Sequence, residues 1–110
     1  MARIRSISLA MLERMTPLTP HARILASSLS IVCDDAGRVE LDPGTIAGIL
    51  FPGEPTAADQ LDGWLAELER HGWIEHYSVD GIEYLRMIDW GVDQRVREAT
   101  PSKLPASPSE

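Results

Sequence analysis

Two aromatic and β-branched runs, Trp73 to Val79 and Ile82 to Ile88, are separated only by Asp80-Gly81. Two residues leave room for a tight turn and nothing else. An Asp-Gly pair accepts the positive φ such a turn requires at both central positions, so an antiparallel hairpin is expected. A hairpin alone is barely stable in water and must pack against another element. The preceding segment supplies one. Leu61, Trp64, Leu65 and Leu68 recur at helical spacing, Thr56 with Asp59 resembles a capping box, and Gly72 stands where the left-handed residue after a helix belongs.

Upstream, the same punctuation repeats. Thr19-Pro20 gives a cap and a proline at the first helical position, and Ala22, Leu25, Leu29 and Val32 form one apolar stripe, predicting a helix over 20–33. It should stop at Asp34-Asp35-Ala36-Gly37, where glycine can make the exit. Arg38 to Leu41 alternates like a short strand. Asp42-Pro43 opens a second helix through Phe51, closed by Pro52-Gly53-Glu54-Pro55. Leu9 to Met15 suggests a turn or two of helix, and residues 99–110, with Pro101, Pro105 and Pro108 among Ser and Ala, read as extended or disordered when free. The order helix, strand, helix, helix, strand, turn, strand is that of an α+β winged helix-turn-helix, with three main helices, a small antiparallel sheet and a hairpin wing. The implied organisation is an N-terminal arm over 1–18, the domain over 19–90 and a Pro/Ser-rich tail over 91–110.

One domain is what 110 residues allow, and 44% apolar residues suffice for a core without disulfides. The lone Cys33, beside Ile31 and Val32, reads as a small buried hydrophobe in a reducing compartment. Neither a membrane span nor a secretory leader is expected, which points to the cytoplasm. The formal charge of -7 is unevenly placed: residues 1–25 carry +3, residues 26–85 carry -10, and residues 86–110 balance. An acidic body of this kind opposes general affinity for phosphate backbones.

Enzymatic chemistry finds no foothold. There is no Gly-rich phosphate loop, and His21, His71 and His76 have no partner at metal-ligand spacing, so neither metal nor cofactor is expected. Asp34, Asp35, Glu40 and Asp42 lack the order of a calcium loop and suit turn and cap roles instead.

A family resemblance joins these elements. Met1-Ala2-Arg3-Ile4-Arg5-Ser6-Ile7, Leu18-Thr19-Pro20-His21-Ala22-Arg23-Ile24-Leu25 and Asp34-Asp35-Ala36-Gly37-Arg38 open the set. They are followed by Leu50-Phe51-Pro52, Leu65-Ala66-Glu67-Leu68, Gly72-Trp73-Ile74, Tyr84-Leu85 and Trp90…Gln94…Pro101-Ser102-Lys103-Leu104-Pro105. In this order and at these intervals the chain resembles the N-terminal domain of phage and prophage replication-initiator-type proteins. The resemblance implies a winged-helix domain associated with phage DNA replication. The chain departs from that pattern at Ser8-Leu9-Ala10-Met11, where Lys-Pro-Glu and an aromatic are usual. It departs again at Gly91, Val92 and Asp93, where a histidine is usual.

Two kinds of partner follow. In a helix-turn-helix the third helix enters the major groove of duplex DNA, yet here its charges are Asp59, Asp62, Glu67 and Glu69 against Arg70. Contacts to double-stranded DNA, in replication or gene regulation, are therefore expected from Arg3, Arg5, Arg95, Arg97 and Lys103 on the two arms, with Arg70 on the helix and Arg86 on the wing. Alternatively, Asp59, Asp62, Glu67 and Glu69 with Trp90 would engage a basic DNA-handling protein. The chain would then be an acidic adaptor, anti-repressor, DNA mimic or inhibitor of a host defence complex such as an anti-CRISPR. Trp64 and Trp73 belong to the core at their spacings, and a homodimer would give a helix-turn-helix its two half-sites.

Overall fold

Asp42 starts a helix as its sequence promises: its carboxylate accepts the Thr45 amide at 3.3 Å while Pro43 fills the first helical position. The computed structural model describes residues 4–110, and within them the chain is an α+β domain. Its helices are α1 (Leu9–Arg14), α2 (Pro20–Ser28), α3 (Pro43–Leu50), α4 (Ala57–Arg70) and α5 (Trp90–Asp93). Its strands are β1 (Arg38–Glu40), β2 (Ile74–Val79) and β3 (Ile82–Met87). The sheet is antiparallel in the order β1-β3-β2.

The Asp-Gly turn forms as expected, with φ of 53° at Asp80 and 82° at Gly81, and it pairs Val79 with Ile82. From that register the alternation of strand side chains assigns the two faces of the sheet. Val39, Ile74, Leu85 and Met87 share the inner face. Arg38, Glu75, Tyr77, Tyr84 and Arg86 share the outer one. The inner face meets Leu25, Leu29, Ile46, Leu61 and Leu68 from α2 to α4, and Met11 of α1 is buried in the same core. Trp73 and Cys33 are buried with them, and Trp64 is partly buried, its ring stacked on His21 at 4.6 Å and beside Phe51 at 4.9 Å.

Several boundaries differ from expectation. The helix expected over 20–33 is α-helical only to Ser28 and then tightens into a 3-10 turn over Leu29–Ile31. The hydroxyls of Ser27 and Ser28 donate to the carbonyls of Arg23 and Ile24 at 2.8 and 2.7 Å, a competition that favours such tightening. The capping box at Thr56 does not form. Thr56 has helical dihedrals, and its hydroxyl accepts from Gln60 at 3.3 Å instead of from the helix backbone. The C-terminal end of α4 closes as read: Gly72 has a φ of 76° and the Trp73 amide reaches the Leu68 carbonyl at 2.9 Å. The short helix α5 has no counterpart in the sequence reading.

Candidate functional site

α4 presents Asp59, Asp62, Glu69 and Arg70 to solvent, all exposed, because its apolar stripe is drawn inward by the core. None of the four makes an ion pair or side-chain hydrogen bond among the described residues. Glu67, expected with them as a partner contact, lies elsewhere. It is buried, and its two carboxylate oxygens accept the Thr19 amide at 2.6 Å and the Thr19 hydroxyl at 2.8 Å. Those two bonds, the amide foremost, hold its pKa below the usual carboxylate range. Glu67 therefore fastens the start of α2 to α4. The signal was its place three residues after Trp64, at the margin of the buried stripe. The hairpin tip adds exposed Asp80 and Glu83, the latter paired with His76.

The cations divide into two groups. Arg5, expected to reach DNA, is instead held inside the molecule, with a side chain only 5% exposed. It donates to the carbonyls of Ser30 and Cys33 at 2.9 and 3.0 Å, pairs with Asp35 at 3.3 Å and lies 4.9 Å from the Trp90 ring centroid. Arg86 is likewise committed, to Glu75 at 2.6 Å and to the Ser107 hydroxyl at 3.1 Å. Arg95, Arg97 and Lys103 are exposed and make no ion pair or hydrogen bond among the described residues. Arg3 lies outside them. Lys103 borders a groove of about 770 Å³ whose walls include Ile4, Val39, Val96 and Leu104.

Trp90 is the centre of a clasp between the two ends of the chain. Its indole N–H donates to the Asp35 carbonyl at 2.8 Å, and its ring lies on Gly37. Four residues on, Gln94 is buried and bonds both the amide and the carbonyl of Ser6 at 2.8 Å, as a strand neighbour would. Arg14 grips Asp93 through two bonds of 2.9 and 2.7 Å and lies 4.6 Å from the Trp73 ring centroid. The Asp93 bond, opposed by burial, raises the Arg14 pKa further. The Trp…Gln spacing in the sequence thus marks a clasp holding the N-terminal arm.

Residues 104–110 cross the outer face of the sheet. The Leu104 carbonyl accepts from Arg38 at 3.1 Å, the Pro105 carbonyl accepts from the Tyr77 hydroxyl at 2.7 Å, and Glu110 pairs with Arg38 at 3.1 Å. Ser109 donates to Glu75 at 2.7 Å. The neighbouring hydroxyls of Ser107 and Ser109, with Arg86, pull the Glu75 pKa down to about 2. Burial works against the Glu110 carboxylate, but bonds from the Ser107 amide and Arg38 outweigh it and hold the pKa low. Burial pushes the Tyr77 hydroxyl up. The tail, read as extended or disordered when free, is docked here and ends in a turn closed by the Glu110 amide on the Ser107 carbonyl at 3.2 Å.

Asp34 and Asp42 have the turn and cap roles expected of them: Asp34 accepts the amides of Ala36 and Arg38, each at 3.0 Å. No group of three or more potential metal-ligating side chains gathers among the described residues. No helix there is long and apolar enough to cross a membrane. Comparison with family models, with curated proteins and with solved structures finds no match.

Proposed function

We propose that this chain is a winged helix-turn-helix module of the phage replication-initiator type, working at DNA as an adaptor. The succession α2, β1, α3, α4, β2, β3 and the sheet order β1-β3-β2 support the winged-helix reading. In it, α4 takes the place of the helix that enters the major groove. The wing is β2 with β3.

The observation that carries the functional reading is the sorting of unpaired charge. The groove-facing helix displays Asp59, Asp62 and Glu69 around Arg70, while Arg95, Arg97 and Lys103, with Glu98 between them in sequence, lie exposed in the segment after α5. Carboxylates repel phosphate, and carboxylates free of internal partners are available to a cationic surface. The α4 face is therefore assigned to a basic DNA-handling protein. Duplex phosphate is assigned to Arg95, Arg97 and Lys103, with Arg5 serving the fold and Arg86 occupied on the outer face of the sheet.

Fluorescence anisotropy with labelled duplexes of random sequence tests the second assignment, and capture of a basic replication or regulatory protein tests the first. The triple change R95A/R97A/K103A should remove duplex binding and leave the protein partner bound. The triple change D59K/D62K/E69K should do the reverse. Duplex binding that survives the first, or partner binding that survives the second, contradicts the corresponding assignment.

A further inference from the structure

The outer face of the sheet carries an arrangement that the adaptor reading does not use. Register places Arg38 directly across from Arg86, and Tyr77 directly across from Tyr84. The tyrosine rings stack with centroids 5.5 Å apart and planes 25° from parallel. Two aromatic rings beside two guanidinium groups, with Glu40 and Glu75 on the same strand face, are groups with which a single strand of nucleic acid can be held. Bases stack on the rings and phosphates pair with the cations. Two like charges on adjacent strands are costly to hold together without an anion.

Glu75, directly across from Arg86 on β2, supplies one anion from within the sheet, and the tail supplies the other. Arg38 holds the Glu110 carboxylate and the Leu104 carbonyl, Tyr77 holds the Pro105 carbonyl, and Arg86 holds the Ser107 hydroxyl and Glu75. We propose that this face is a binding site for single-stranded nucleic acid, masked by residues 104–110, with Glu110 occupying Arg38 as a phosphate would.

The mask is built to be lifted. Leu104 is the one large apolar side chain in residues 99–110, so little hydrophobic energy holds the segment down. Its anchors are ion pairs and hydrogen bonds, which a competing polyanion can replace in kind. A permanent cover would gain more from apolar side chains than from partly buried charges. The inference stands without the winged-helix reading, since neither α4 nor the segment Arg95 to Arg97 is among the groups that line this face.

The test uses the full chain and labelled oligo(dT), oligo(U) and a duplex of equal length. Amide exchange at Ser107 and Ser109 reports whether the segment is released. Release is sought with S107A/E110A, and with Leu104→Ser added where the double variant stays docked. The released protein should bind a single strand at least about tenfold more tightly than the unaltered chain. Adding R38Q and R86Q should cancel the gain. A gain on oligo(dT) alone identifies the ligand as DNA, and a gain on oligo(U) alone as RNA. A released segment without gain, an equal gain on duplex, or a gain that survives R38Q and R86Q overturns the proposal.

Discussion

Trp90 lies so close over Gly37 that a Cβ added at that glycine would sit 2.7 Å from the indole Cδ2. Gly37 also has a φ of 82°, in the region that favours glycine, so two independent constraints meet at one residue. Gly37→Ala should destabilise the domain by about 2–4 kcal/mol through backbone strain and overpacking together. Urea unfolding measures it. A loss below about 1 kcal/mol would mean that the indole is free to shift and the clasp is loose.

The clasp is expected to matter at Gln94 as well. Its amide supplies one donor and one acceptor to the Ser6 backbone in a buried setting. Gln94→Ala leaves both backbone groups without their partner and should cost about 1–3 kcal/mol. Proteolysis of the arm near Ser6 should accelerate in the same variant. An arm that stays protected would show that Trp90 and Arg5 hold it alone.

Ser30 gives the opposite sign. Its hydroxyl is the one buried side-chain polar atom without a hydrogen-bond partner among the described residues. Removing it eliminates an unmet desolvation cost, so Ser30→Ala should be neutral or stabilising by up to about 1 kcal/mol. A clear fall in the unfolding midpoint would show that the hydroxyl has a partner, such as a bound water.

The docked tail should respond to acid. Glu75 has a pKa of about 2 in the folded chain against an ordinary 4.5, and that of Glu110 is also lowered. A carboxylate depressed by folding contributes stability that is full above its ordinary pKa and is lost as pH falls through the folded value. Docking of residues 104–110 should therefore be complete at neutral pH and weaken between about pH 4.5 and 2. Glu75→Gln should remove most of this dependence. Protection factors at Ser107 and Ser109, taken against the unstructured exchange rate at each pH, that stay flat across this range would contradict the assignment.

The parts of the fold legible in the sequence were those set by local chemistry. Asp80-Gly81 dictates its own turn, Pro43 and Asp42 their helix start, and Gly72 its helix end, because each depends on backbone geometry within a few residues. What was not legible depends on partners far along the chain. Arg5 looks like a free cation in a basic arm, yet its acceptors lie 25 to 30 residues away. Glu67 looks like one more surface acid, yet Thr19 draws it inward. Arg38 looks like the start of a short strand and no more, since its acceptors, the Leu104 carbonyl and the Glu110 carboxylate, stand 66 and 72 residues further on. At Thr56 the helix starts where the sequence places it, but the capping bond is absent for a local reason: the hydroxyl accepts from Gln60 instead.

The charge-sorting claim is tested most directly by the salt dependence of duplex binding, measured by anisotropy on the unaltered chain and on R95A/R97A/K103A. Three phosphate contacts give a slope of log affinity against log salt of about -2.7. The account predicts a slope near that value for the unaltered chain and loss of binding in the triple variant. No binding even at low salt, or a triple variant with the same affinity and slope, would contradict it.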